Sequence, residues 1–196
     1  MKKILICAFC IFLLAALVAC SDPIENDGAG SVSESGSSVA DSSSGSEQSK
    51  TEGAQISDDH APDFTVVDWD GENIKLSDLF GKPIVLNFWA SGCSPCRSEM
   101  PDFQAAYEKY GDDVQFMMVN YIGFFGETVD SAKEFVNGQG YTFPIYFDTD
   151  NSAAATYGIY SIPQTFFIDE HGEVVAYAKG MLDEESLEKG INMILD

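Results

Sequence analysis

Basic side chains are scarce in this chain. Its 196 residues include ten Lys and Arg against 32 Asp and Glu, for a formal net charge of −22 at pH 7. Nucleic-acid binding needs clustered Lys and Arg to contact the phosphates, so we exclude nucleic acid as a partner. Histidine is equally rare, with two residues. One close cysteine pair without a second pair makes a poor zinc site, and we expect no metal and no cofactor.

Cysteine is sparse as well. Five cysteines are too few for a fold held together by disulfides, so stability has to come from a hydrophobic core. The composition allows one, because 45% of the residues are hydrophobic and 12% are aromatic. Global disorder is therefore excluded. At this length we expect one folded domain with an attached tail.

Residues 1–19 have the pattern of an export signal. Two lysines precede an apolar run over residues 4–18, which is shorter than the roughly 20 residues of a membrane-spanning helix. The run ends in Leu-Val-Ala-Cys at residues 17–20, which resembles the lipobox of bacterial lipoproteins. That resemblance implies cleavage before Cys20, lipidation of its sulfur, and attachment to the extracytoplasmic face of the bacterial cell membrane. An ordinary signal peptide cut elsewhere and an uncleaved anchor are the alternatives.

Residues 20–60 are predicted to be the lipidated cysteine followed by a flexible tether. Ser, Gly, Asp and Glu dominate residues 21–49, which contain no aromatic residue. Such a segment cannot bury enough apolar surface to offset the entropy of ordering. Cys7 and Cys10 have C-x-x-C spacing but fall inside the signal, and they are removed with it. The folded domain is expected over residues 61–196.

Strand and helix patterns alternate along residues 61–196. Short strand-like runs around Asp-Gly at residues 70–71 predict an N-terminal hairpin. Nearly continuous apolar runs over residues 83–90 and 114–121 predict strands that are buried on both faces. We therefore expect an α/β fold, with a central mixed sheet flanked by helices on both faces. The predicted strands are 64–67, 73–76, 83–90, 114–121, 143–147, 164–168 and 174–178, and the predicted helices are 99–110, 129–136, 152–157 and 184–195.

Two cysteines lie where a predicted buried strand passes into a helix, in the sequence Cys93-Ser-Pro-Cys96. This spacing places both sulfurs at a helix N-terminus, whose dipole and free N–H groups stabilise a thiolate. We expect Cys93 to project outward and attack, and Cys96 to lie deeper and resolve the mixed disulfide. Pro95 suits the first helical turn. An inert structural disulfide is the alternative, although a loop this short is a weak staple.

The sequence around these cysteines resembles the thioredoxin superfamily, and within it the membrane-anchored TlpA/ResA-like thiol-disulfide oxidoreductases with a redoxin (AhpC/TSA-type) domain. The resemblance covers roughly residues 61–196. It implies a thioredoxin-like fold with a central βα-type insertion and a redox-active Cys93–Cys96 disulfide. It rests on Ala-Pro-Asp-Phe at 61–64, Gly-Lys-Pro at 81–83, Phe-Trp-Ala-x-x-Cys-x-x-Cys at 88–96, Glu-x-Pro at 99–101, and Ser-Ile-Pro-Gln-Thr-Phe-Phe-Ile-Asp at 161–169.

The resemblance also implies two further catalytic positions. Ile162-Pro163 corresponds to the cis-proline loop beside the disulfide, where the backbone of Ile162 binds an incoming substrate strand; a trans proline at an edge strand is the alternative. Glu99 lies on the same helical face as Cys96, one turn on. In that family a Glu at this place tunes or relays the proton of the buried cysteine, as a partly buried carboxyl can do. A solvated surface acid is the alternative.

Three aromatic residues are candidates for substrate binding. Trp89 precedes the cysteine turn, and Phe124 and Phe125 stand between glycines after the second buried strand. If that strand runs parallel to the first, its C-terminal end lies on the same sheet edge as Cys93, and the two phenylalanines form an apolar docking surface. Packing under the inserted helix is the alternative for both. Gly92 stands where many relatives carry Trp, which opens the surface around Cys93 and leaves the substrate preference undecided.

The favoured function is that of a lipid-anchored, extracytoplasmic thiol-disulfide oxidoreductase. The resemblance implies a monomeric reductant that receives electrons from a membrane thiol protein. Its oxidised clients would be apocytochrome c, methionine sulfoxide reductase or damaged surface proteins. A peroxiredoxin-like peroxidase is one alternative, although the Pro-x-x-x-Thr-x-x-Cys run is missing before Cys93. A non-enzymatic surface lipoprotein on a thioredoxin scaffold is the other.

Overall fold

A computed structural model describes residues 60–195. The predicted signal, Cys20 and the predicted tether lie outside the described residues, apart from His60. Within the described part, no helix has the length and hydropathy needed to cross a membrane.

The domain has one seven-stranded sheet and four helices in its described part. The strands stand in the order β2-β1-β5-β4-β3-β6-β7. β3 pairs parallel with β4 and antiparallel with β6, while β1 and β2 form the N-terminal hairpin. The strands are β1 (Thr65–Val67), β2 (Asn73–Lys75), β3 (Ile84–Trp89), β4 (Gln115–Tyr121), β5 (Ile145–Asp148), β6 (Gln164–Ile168) and β7 (Val174–Lys179), and the helices are α1 (Ser94–Tyr110), α2 (Val129–Gln139), α3 (Ser152–Thr156) and α4 (Glu184–Leu195).

The predicted mixed α/β sheet and all the predicted elements are present, with differences at their ends. α1 begins at Ser94 and not at Glu99, because Cys93 caps it and Pro95 fits the first turn. α2 continues beyond the predicted end to Gln139, and Gly140 terminates it in the left-handed conformation (φ 75°). Asp183 accepts a hydrogen bond from the Ser186 backbone N–H at 2.9 Å, as expected at the start of α4.

β3 divides the core between the two faces of the sheet, because successive strand side chains point in opposite directions. Val85 and Trp89 face the side covered by α1, α2 and α4, which we call the α1 face. Leu86 and Phe88 face the side covered by α3, which we call the α3 face. All six β3 residues are buried, as expected for a strand covered on both sides.

Three chain segments meet at one edge of the sheet. β3 and β4 are parallel, so their C-terminal ends lie together. β6 is antiparallel to β3 and pairs Gln164 with Phe88, which brings the start of β6 to the same edge. The loops after β3, after β4 and before β6 are therefore neighbours, and all three carry predicted site residues.

Candidate active site

Cys93 and Cys96 form a disulfide at the start of α1. Cys93 is the N-cap residue, and its Sγ accepts a hydrogen bond from the backbone N–H of Cys96 at 3.2 Å. Pro95 lies in the first turn, where a missing N–H costs nothing. The helix dipole and this N–H both favour negative charge on the Cys93 sulfur once the disulfide is reduced.

The two cysteines differ in exposure, although less than predicted. Cys96 is fully buried, and Cys93 retains 8% exposure. Cys93 therefore does not project outward in the disulfide form, because its sulfur is drawn over the first turn of α1. Its Sγ lies 3.8 Å from the carbonyl oxygen of Ile162 on its other side.

The loop before β6 packs against the disulfide. The Ile162–Pro163 peptide bond is cis, Ile162 is half-buried, and Pro163 is buried. The Pro163 carbonyl accepts a hydrogen bond from the Gly180 N–H at 2.9 Å, which ties the loop to the end of β7. The structure thus places this predicted proline loop directly beside Cys93.

Glu99 is a buried carboxyl with 1% exposure, and the alternative of a solvated surface acid is wrong. Asn87 Nδ2 donates to its Oε1 at 3.1 Å, and the Leu182 N–H donates to its Oε2 at 2.9 Å. Burial raises the pKa of Glu99 to about 7, while these two hydrogen bonds oppose the rise and the charge of Asp102 adds to it. Glu99 therefore exchanges its proton near neutral pH.

Asn87 connects this carboxyl to the sheet. Its Nδ2 also donates to Thr165 Oγ1 on β6 at 3.0 Å. The side chains of Asn87 and Thr165 are buried opposite each other on paired strands. Sequence reasoning missed this network, because it depends on the pairing of distant strands; the visible signal was a polar residue in the apolar run 83–90.

Glu127 is a second buried carboxylate near the cysteines, and sequence reasoning gave it no role. Its Oε2 accepts hydrogen bonds from Ser91 Oγ at 2.8 Å and from the Gly92 N–H at 3.3 Å, and its Oε1 accepts one from Asn120 Nδ2 at 3.2 Å. The loop after β4 thereby holds the turn that precedes Cys93. A Cβ placed on Gly92 would meet no atom within 4 Å, so this position has open space beside the turn.

The aromatic candidates separate into core and surface residues. Trp89 is fully buried against Phe135 on the α1 face, so its predicted contact with substrate is wrong: no part of its side chain is accessible. Phe124 is half-buried on the core, which agrees with the packing alternative, whereas Phe125 is 91% exposed. Phe125 has a left-handed backbone (φ 51°) and packs edge-on against Phe124. Tyr160, just before the proline loop, is 90% exposed and was not predicted.

The site has the groups that thiol–disulfide exchange needs. It combines a disulfide at a helix N-terminus, a cis-proline loop within contact distance, and a carboxyl that titrates near pH 7. Among residues 60–195, no cluster of three or more His, Cys, Asp and Glu side chains is arranged to hold a metal ion.

Comparisons with known proteins agree with this chemistry. Residues 57–177 match the family model of the AhpC/TSA family. The chain is 40% identical over 129 residues to the thiol-disulfide oxidoreductase ResA of Bacillus thuringiensis (strain Al Hakam), which covers 65% of this chain and 72% of that protein.

Two solved structures share the fold. A putative thiol:disulfide interchange protein DsbE from Chlorobium tepidum superposes with a TM-score of 0.63 at 32% identity, covering 70% of this chain and 96% of that one. The pneumococcal exposed lipoprotein thioredoxin Etrx1 from Streptococcus pneumoniae gives a TM-score of 0.60 at 32% identity, covering 67% of this chain and 98% of that one. The predicted thioredoxin-like fold is confirmed.

Proposed function

This chain belongs to the AhpC/TSA family within the thioredoxin superfamily and is a ResA-like thiol-disulfide oxidoreductase, and from that premise we propose that it reduces client protein disulfides outside the cytoplasm from a lipid anchor at Cys20. The observation that carries the redox role is the Cys93–Cys96 disulfide at the cap of α1, beside the Ile162-Pro163 loop. An enzymatic role sets aside the alternative of a passive surface lipoprotein.

The proposed reaction begins with the reduced pair. The Cys93 thiolate attacks one sulfur of a client disulfide, which forms a mixed disulfide and releases one client thiolate. Cys96 then attacks the Cys93 sulfur, closes the Cys93–Cys96 disulfide and releases the second client thiolate. Two electrons pass from the pair to the client, whose thiolates take up protons. An electron donor with a dithiol reverses the change in this protein.

Glu99 supports the second attack in this proposal. Cys96 is fully buried, and burial raises the pKa of a thiol, so it needs a base before it can attack. Glu99 lies one helical turn further along the same face and has a pKa of about 7. Its carboxylate is therefore suited to take the Cys96 proton and to return it when the disulfide is reduced.

Client binding uses the surface around Cys93. The Ile162 backbone would pair with an extended client strand beside the disulfide. The exposed ring of Phe125 would pack against an apolar client side chain, because the Glu127 contacts hold its loop to the Cys93 turn. The open space at Gly92 admits bulk at the same place.

The lipid anchor and the location are proposals drawn from residues 1–20. The pattern at 17–20 supports them, and so does the likeness to a pneumococcal protein described as an exposed lipoprotein thioredoxin. Electrons would come from a membrane thiol protein. The clients would be oxidised extracytoplasmic proteins, with apocytochrome c and methionine sulfoxide reductase as candidates.

The direction of electron flow is tested by the reduction potential of the Cys93–Cys96 pair, followed by Trp89 fluorescence in glutathione buffers. A value near or below about −250 mV supports a reductant, and a value near about −120 mV marks a disulfide donor. Insulin reduction with dithiothreitol tests the activity itself, and hydrogen peroxide consumption tests the peroxidase alternative. For the anchor, Cys20→Ala should abolish labelling with a fatty acid and release the protein from membranes.

A further inference from the structure

A groove of about 400 Å³ runs along α1 immediately beyond the reactive disulfide. One wall is the first two turns of α1, and the other is formed by the end of α2 and the residues after it. Its lining includes Ser94, Arg97, Ser98, Phe135, Gln139 and Tyr141. The groove thus begins one residue from Cys93 and opens to solvent beside it.

Arg97 gives this groove its charge. It is the sole arginine of a chain with net charge −22. The guanidinium carbon lies 5.5 Å from the centre of the Phe135 ring, and the residue is exposed. Among residues 60–195 no carboxylate forms an ion pair with Arg97, whereas Lys109 pairs with Glu188. The planar guanidinium is therefore held over an aromatic ring with its N–H groups directed at solvent.

The surroundings of Arg97 suit a peptide with a carboxylate. The half-buried rings of Phe135 and Tyr141 form an apolar wall. Ser94 and Gln139 are exposed at the rim and carry groups that bond to a peptide backbone. A guanidinium binds a carboxylate through two parallel N–H···O hydrogen bonds, which a neutral side chain cannot match.

We propose that this groove is a subsite for client proteins that carry Asp or Glu close to the cysteine bonded to Cys93. The proposal rests on the reductase function proposed above and names its substrate class. Arg97 is four residues past Cys93, about 6 Å along the helix axis. An extended client chain covers that distance in two residues of about 3.3 Å each, and the length of the arginine side chain adds one or two more. The carboxylate therefore belongs two to four residues from the client cysteine.

The test uses three disulfide-containing peptides that differ only at the third residue from the reactive cysteine, with Glu, Gln or Lys there. Their kcat/KM values are compared in the full chain and in Arg97→Gln and Arg97→Glu. We expect the Glu peptide to be favoured over the Gln peptide by about threefold to fivefold. Arg97→Gln should abolish this preference, and Arg97→Glu should turn it in favour of the Lys peptide.

Lys75→Glu is the matched control. It makes the same charge change at an exposed residue of β2, the edge strand on the far side of β1 and β5, and should preserve the preference for Glu. A salt concentration of about 0.5 M should weaken the preference of the unmodified chain, because exposed charges are screened. Equal rates for the three peptides, or a preference for Glu that survives Arg97→Glu, would overturn the proposal.

Two further measurements separate other causes. Reduction of hydroxyethyl disulfide, which is uncharged, reports the redox chemistry alone. If every protein reduces it equally, a lack of charge preference refutes the subsite and not the reductase. If the unmodified chain does not reduce it, the reductase proposal itself fails. A preference that appears only when the Asp and Glu residues of 21–59 are changed to amides in the full chain would identify that segment as the occupant and overturn the assignment to clients.

Discussion

The α1 face and the α3 face of the sheet are buried equally well but differ in chemistry. The α3 face holds the aromatic cluster of Phe64, Phe88, Tyr157 and Phe166, whose rings contact one another. The α1 face holds the disulfide and the buried carboxyl of Glu99. β3 supplies both, since neighbouring residues on one strand face opposite sides. A small domain thus places apolar packing on one side of a strand and its reactive groups on the other.

Cys93→Ser gives the largest expected effect, and it is confined to the α1 face. Client reduction should fall at least about a thousandfold, because no thiolate is left to attack. The free energy of unfolding should fall by only about 2 kcal/mol, since the lost disulfide closes a very short loop. Insulin reduction and urea unfolding measure the two. Cys96→Ser is the companion variant and should accumulate a mixed disulfide; its absence would contradict the order of attack.

Phe88→Ala tests the α3 face. Removing a ring with no exposed surface should lower the free energy of unfolding by about 3–5 kcal/mol. The reduction potential of the folded protein should remain unchanged, because Phe88 points away from the disulfide. Urea unfolding checks the first result and glutathione equilibration the second. Phe125→Ala removes an exposed ring and should leave stability unaltered; a large shift of potential in Phe88→Ala would refute the separation of the faces.

Glu99→Gln sharpens the comparison through pH. The folded protein keeps the Glu99 proton up to a pKa of about 7, against an ordinary value of 4.5. The folded state therefore binds more protons in this window, so stability falls as pH rises, on the order of 3 kcal/mol in all. Glu99→Gln should remove most of that decline in urea unfolding between pH 4.5 and 7.5. Burial also raises the pKa of Asp148, which leaves a smaller decline.

The same variant should also slow resolution of the mixed disulfide above pH 7, where the carboxylate acts as base. Glu170→Gln, an exposed acid in the β6–β7 turn, is the matched control for both measurements. A decline in stability that is as steep in Glu99→Gln as in the unmodified chain would contradict the assignment.

Glu127→Gln gives the smallest expected effect. The amide keeps the size of the side chain but sets an NH₂ group against one of the donors on Ser91, Gly92 and Asn120. The turn before Cys93 should loosen, and alkylation of Cys93 by iodoacetamide should change by about tenfold or less. Stability should change little. An alkylation rate equal to that of the unmodified chain would show that the turn holds its position without Glu127.

Local patterns predicted the elements of the fold, and the differences arise where distant segments meet. The run 83–90 predicted a strand buried on both faces, and that prediction already implied a buried Trp89, in conflict with a role in substrate contact. The links from Glu127 to Ser91 and from Asn87 to Thr165 depend on tertiary contact between loops and strands, which residue spacing does not show. The cap by Cys93 follows from local sequence, since Pro95 marks a first turn.

The start of the described chain is fixed at the end of the sheet that lies away from Cys93. The Ala61 N–H donates to the Gly172 carbonyl at 2.7 Å, and His60 bridges to Glu173. The turn between β6 and β7 lies beside the first residue of β3, because Ile84 pairs with Ile168. Tension on the chain before His60 therefore enters the domain about 20 Å from the disulfide, the length of β3. Pulling on that point aligns the domain with its reactive end facing away from whatever holds it, and the load bypasses the turn that carries Cys93.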